Sequence, residues 1–124
     1  MRPKKKVLLV CDDPHTRSEW KFLLDTWGFL ATAVGSYEAP MQLRLASMDF
    51  FEVVLMVGMN KHVKAIEKQC EMHPNLRFLG LADQELTSFL SETRWLPLKT
   101  PRIEVLDHIK ICAARKRGPR KKAA

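Results

Sequence analysis

Three consecutive residues near the amino terminus, Cys11, Asp12 and Asp13, and one cation far along the chain, Lys99, are the side chains best suited to chemistry. Carboxylates bind hard divalent cations through oxygen, but one or two of them hold such an ion weakly without a phosphate co-ligand. Asp12 and Lys99 therefore read either as a residual ion pocket or as a salt bridge that satisfies both groups, and the salt bridge is the favoured reading. A metal is at most a weak residual prospect at Asp12 and Asp13, and no cofactor is implied. Cys11 sits beside acids that raise a thiol pKa, which argues against a reactive thiolate. Cys70 and Cys112 complete an odd, widely spaced set with no CxxC or Cys/His cluster, so reduced, packed thiols are expected. His15, His62, His73 and His108 have no ligand spacing and are expected at the surface.

The elements that position these residues alternate between strand-like and helix-like segments. Lys5 to Cys11 is an apolar run suited to a strand covered on both faces. Asp13 can cap the next helix and Pro14 is preset for its first turn. Trp20, Leu23, Leu24 and Trp27 then form an inward stripe that Gly28 stops. Phe29 to Val34 reads as the second strand, and Ser36 as the cap of a helix to about Ser47, with Pro40 distorting its first turn. Phe50 to Val57 is the third strand, broken by Gly58. Asn60 caps a helix with Val63, Ile66 and Cys70 inward, ended by His73-Pro74-Asn75. Leu76 to Leu81 is the fourth strand, and Asp83 caps a short helix carrying Leu86, Phe89 and Leu90. Trp95 to Leu98 contains Pro97 and so belongs at a sheet edge. A last helix follows Thr100-Pro101, with Val105, Leu106, Ile109 and Cys112 inward.

Strand-then-helix units repeated in this way predict an α/β fold, a doubly wound five-stranded parallel sheet of flavodoxin-like (βα)5 topology with strand order 2-1-3-4-5. Ligands in such folds sit beyond the carboxyl ends of the strands, where Cys11, Asp12, Asp13, Val57, Leu81 and Lys99 fall. Here the chain resembles the CheY-like receiver domain of two-component response regulators over nearly its whole length. VLLVCDDPHTR (7–17) resembles the receiver opening, and FEVVLMV (51–57) the strand that normally ends in the phosphorylated aspartate. FLGLA (78–82) resembles the strand that ends in Thr or Ser followed by Ala, and WLPLKTP the segment with the family's lysine.

The resemblance implies a site in which an aspartate attacks phosphorus, acids hold magnesium, a lysine steadies the phosphoryl charge and a hydroxyl relays the switch. Carried over position by position, that set is mostly lost. The acidic pair falls on Cys11 and Asp12, the phosphoacceptor on Val57 and the hydroxyl on Leu81; Asp12, Asp13 and Lys99 keep their chemistry. Thr100 separates Lys99 from Pro101, and the aromatic switch position falls on Leu96 beside Trp95. Asp49 cannot substitute, because at roughly 3.3 Å per residue it lies about 26 Å from the strand's other end. The expectation is a non-enzymatic pseudo-receiver, its pocket filled and its conformation locked, that signals by binding a protein partner or a second copy. The resemblance assigns that surface to the fourth helix, fifth strand and last helix, with Trp95, Leu96 and Leu98 near it. A working phosphorelay receiver is the less favoured member of the same class.

Charge divides unevenly along the chain. Four of the 21 Lys and Arg residues lie among the first six residues, and six more (Arg115, Lys116, Arg117, Arg120, Lys121, Lys122) among the last ten. Eleven remain against the 14 Asp and Glu residues, so the body carries −3 and the net +7 belongs to the ends. Residues 1–114 are read as the receiver-like domain and 115–124 as a flexible basic tail. That tail raises an alternative of a different class, a small nucleic-acid-associated regulator using its basic ends. Such binding would be non-specific and salt-dependent, since no aromatic residue is interleaved for base stacking. The start MRPKKK-VLLVC resembles a signal peptide, but Asp12 and Asp13 interrupt the apolar run short of the roughly seven residues a secretory core needs. No run approaches the ~18 residues of a membrane span. A cytoplasmic protein with no membrane contact is expected.

Overall fold

The structure, a computed structural model, describes residues 4–45, 51–58, 63–73, 76–82 and 94–114. Its strands are β1 (Lys6–Cys11), β2 (Leu30–Val34), β3 (Val53–Val57), β4 (Arg77–Ala82) and β5 (Arg94–Pro97). The helices are α1 (Pro14–Thr26), α2 (Ala39–Leu45), α3 (Val63–Glu71) and α4 (Arg102–Ala114). All strand pairs are parallel and the order is β2-β1-β3-β4-β5, the doubly wound arrangement expected from the sequence. Every residue of β3 and β4 is buried, which explains why both are apolar without alternation, save for Arg77 at the start of β4.

Alternate side chains of the strands feed two separate cores. One unites Val7, Leu9, Val57, Leu79 and Leu81 with Trp20 and Leu24 of α1 and Val105 and Ile109 of α4. The other joins Leu8, Val10, Val54 and Phe78 to Leu43 of α2 and Ile66 and Cys70 of α3. A fully buried leucine in either contributes about 2 kcal/mol. On α1, Trp20 and Leu24 are buried, while Leu23 and Trp27 pack at the margin of the first core. Trp20 and Trp27 meet edge to face, centroids 6.3 Å apart. Gly28, at φ 98°, accepts the left-handed turn that ends the helix. β5 closes one edge of the sheet, where Pro97 costs no ladder partner on the open side.

Several expectations are corrected. Ser36 does not cap α2, which starts at Ala39 with Pro40 inside its first turn; Ser36 is 1% exposed and turned inward. His73 is not at the surface but 8% exposed, folded under the end of α3 with its N–H on the Cys70 carbonyl at 3.0 Å. His108 is half-buried on α4, whereas His15 is exposed as expected. α3 also buries Glu67, a position its apolar stripe did not include. The fifth strand is shifted one residue earlier than expected, and the third begins at Val53. The expected caps Asn60 and Asp83, the helix with Leu86, Phe89 and Leu90, His62 and the tail 115–124 lie outside the described residues. Among the described residues, no helix is long and apolar enough to cross a membrane.

Candidate functional site

The register of the sheet sets four residues in one row across its carboxyl edge: Cys11 pairs with Val57, Val57 with Leu81, and Leu81 with Leu96. Cys11, Val57 and Leu81 are all buried in the core shared with α1 and α4, and Leu96 packs against it. Directly after this row the chain turns. Gly58 takes a left-handed φ of 90° after β3, and its N–H donates to the Leu81 carbonyl at 2.7 Å. The centre of the edge is thus closed by hydrocarbon and a thiol.

Polar groups gather at the β1 corner instead. Asp12 accepts the Ser36 N–H on Oδ1 and the Ser36 hydroxyl on Oδ2, both at 2.8 Å. The carboxylate that sequence reasoning paired with Lys99 therefore ties β1 to the loop after β2. Strand order makes this possible, because β2 flanks β1 on its outer side. Gly35 sits close beside it: a Cβ there would stand 3.3 Å from Asp12 Oδ1, a tight contact. Asp13 caps α1, accepting the Thr16 N–H at 2.9 Å and the Thr16 hydroxyl at 2.6 Å. These two bonds hold the Asp13 carboxyl below its ordinary pKa. Arg17 donates to the Cys11 carbonyl at 2.9 Å, fixing the turn from strand to helix. The Cys11 thiol is pushed up, first by burial and only then by the charges of Asp13 and Asp12. The expected direction was right, but its main cause is desolvation. Cys70 lies deeper and is pushed up to about 12 by burial and by Glu67.

Lys99 lies on the far side of the edge, after β5. It lines a crevice of about 420 Å³ with Val57, Thr16, Trp20, Leu98 and Arg102. Arg102 reaches across from the start of α4 to Glu19 of α1 at 3.1 Å, with its guanidinium 5.5 Å above the Trp20 ring. Of the three residues expected near a partner surface, Leu98 is 40% exposed. Leu96 and Trp95 are half-buried and pack against opposite cores. Trp95 lies over Gly80 and beside Phe78, ring centroids 5.5 Å apart. A Cβ at Gly80 would come within 2.5 Å of the Trp95 ring, so glycine makes the seat for the indole.

Sequence reasoning missed Ser36 as a partner of Asp12, Arg102 with Glu19 as the bridge over the crevice, and Gly80 as the seat of Trp95. Strand order 2-1-3 placed the end of β2 beside Asp12 and was a usable signal for Ser36. The other two depend on side-chain packing that no local pattern encodes.

Magnesium, which the receiver resemblance implies, does not fit this donor set. Asp12 holds Ser36 with both oxygens, Asp13 is turned into the α1 cap, the Cys11 thiol is disfavoured from ionising, and Val57 has no donor atom. Among the described residues, no three His, Cys, Asp or Glu side chains gather to hold a metal ion.

This fold, with its crevice at the carboxyl edge, is that of the CheY-like receiver domains. Among solved structures, the chain is similar to a response regulator receiver protein from Sinorhizobium medicae, with TM-score 0.72 at 13% identity over 89% of this chain and 94% of that one. It is likewise similar to the chemotaxis protein CheY4 of Vibrio cholerae, with TM-score 0.68 at 21% identity over 89% of this chain and 99% of that one. The receiver domain of the Pseudomonas aeruginosa sensor histidine kinase PA1611, crystallised with magnesium in its active-site cleft, aligns with TM-score 0.74 at 15% identity over 91% of this chain and all of that one. No family model and no curated protein matches the chain by sequence.

Proposed function

We propose that this chain is a receiver-type module of response-regulator signalling that works without phosphorylation, by binding a protein partner or a second copy of itself, and catalyses no reaction. One observation carries the reading. The last strand positions at the carboxyl edge hold a buried thiol and two hydrocarbon side chains, Cys11, Val57 and Leu81, in a single row of the ladder, and Val57 lines the crevice. The aspartyl phosphorylation that the receiver resemblance implies needs a carboxylate there, a hard divalent ion needs oxygen ligands around it, and burial disfavours the Cys11 thiolate as a substitute nucleophile. Hydrocarbon supplies neither carboxylate nor ligand, and it removes groups that are costly to desolvate.

The binding surface is proposed to include Leu98, exposed beside the sheet edge that β5 forms. The alternative that the basic ends hold nucleic acid rests on composition alone. Incubating the full chain with acetyl phosphate and magnesium, followed by intact-mass measurement, tests the proposal. An unchanged mass is the expected result. An acid-labile or alkali-labile phosphoryl adduct would defeat it.

A further inference from the structure

The crevice beside Lys99 has the size, charge and wall chemistry of a small-ligand site. At about 420 Å³ it falls within the range of ligand pockets, roughly 300 to 1,000 Å³. Val57, Trp20 and Leu98 give it hydrocarbon walls. Its charges do not cancel. Arg102 is matched by Glu19 at 3.1 Å, whereas Lys99 makes no ion pair among the described residues, so one positive charge stands over. The two hydroxyls are committed elsewhere, Thr100 donating to the Pro97 carbonyl at 2.6 Å and Thr16 to Asp13 at 2.6 Å. Recognition of an anion therefore falls to the Lys99 ammonium.

We infer that this crevice binds a small organic monoanion, its carboxylate on Lys99 and its hydrocarbon body against Val57, Trp20 and Leu98. The inference rests on the phosphorylation-independent reading above, because a carboxylate in place of Val57 would repel such a ligand. Inorganic phosphate is the poorer match. It has no apolar part, it is a mixture of monoanion and dianion at neutral pH, and its desolvation against Val57 and Trp20 has only one unmatched cation to offset it.

The test titrates the full chain with octanoate below its micelle concentration, and in parallel with acetate and inorganic phosphate, following backbone amide shifts by NMR. Octanoate is expected to saturate, with shifts centred on Thr16, Gly58, Leu98 and Lys99, and to bind at least about tenfold more tightly than acetate or phosphate. Lys99→Gln, at an exposed position, is expected to weaken octanoate about fivefold while leaving the spectrum otherwise folded. The inference is overturned by shifts that never saturate, by shifts spread over exposed apolar positions such as Phe22 and Tyr37, by phosphate binding as tightly as octanoate, or by an affinity indifferent to Lys99→Gln. The two tests fail separately: absent octanoate binding leaves the acetyl phosphate result intact, and a phosphoryl adduct refutes the signalling reading whether or not octanoate saturates.

Discussion

At the carboxyl edge of the sheet, the β1 corner and the floor made by β3 and β4 are built in opposite ways. The corner carries acids, and each one satisfies backbone or hydroxyl donors: Asp12 those of Ser36, Asp13 those of Thr16. The floor holds Val57 and Leu81, side by side in the ladder and sealed into the core with α1 and α4. The contrast sets a reason for a polar side chain beside a reason for an apolar one. A carboxylate at the edge can serve the fold by satisfying nearby donors. Where no donor needs one, hydrocarbon spares the core the cost of desolvating a charge.

Val57→Asp is the most severe way to break this comparison. It places a carboxylate in the apolar row and is expected to cost about 3 kcal/mol in denaturant unfolding at neutral pH. Burial raises the pKa of the new acid, so the cost shrinks as pH falls and the group protonates. A cost under about 1 kcal/mol would mean that the floor is wet enough for an acid, and the contrast would vanish. Ser36→Ala probes the other side. It removes one donor from Asp12 and leaves the backbone N–H in place, for an expected loss of about 1 kcal/mol by the same measurement. No loss would show that the Ser36 hydroxyl adds nothing to the corner beyond the backbone bond.

Asp13 gives the smallest effect and the most specific one. Its folded pKa lies below the ordinary 3.8, so its carboxylate contributes stability that is present above that value and is lost as pH falls through the lower folded one. Asn can also cap a helix but does not titrate. The melting-temperature advantage of the native chain over Asp13→Asn is therefore expected to hold at neutral pH and to fade below about pH 4. A difference that stays constant through that window would remove the charge from the account of the cap.

Much of this contrast was legible in advance. Val57 ends the third apolar run, and no acid lies between Glu52 and Glu67, so the hydrocarbon end of β3 could be read without coordinates. The Asp13 cap was readable for the same reason, since its partner Thr16 is three residues away. Cys11 was harder. Its acidic neighbours are adjacent in sequence, but the burial that dominates its pKa belongs to the packed sheet.

The sequence by itself determined the alternation of strands and helices, their order in the sheet, the α1 stripe and the hydrocarbon at the end of β3. Each follows from periodicity, turn residues and crossover handedness, which act over one or a few elements. Only the tertiary structure decided that Asp12 turns to Ser36, that Arg102 spans the crevice to Glu19, and that Trp95 and Leu96 enter opposite cores. Those partnerships join residues distant in the chain, and they depend on which strands lie side by side, in what register, and with how much room between them.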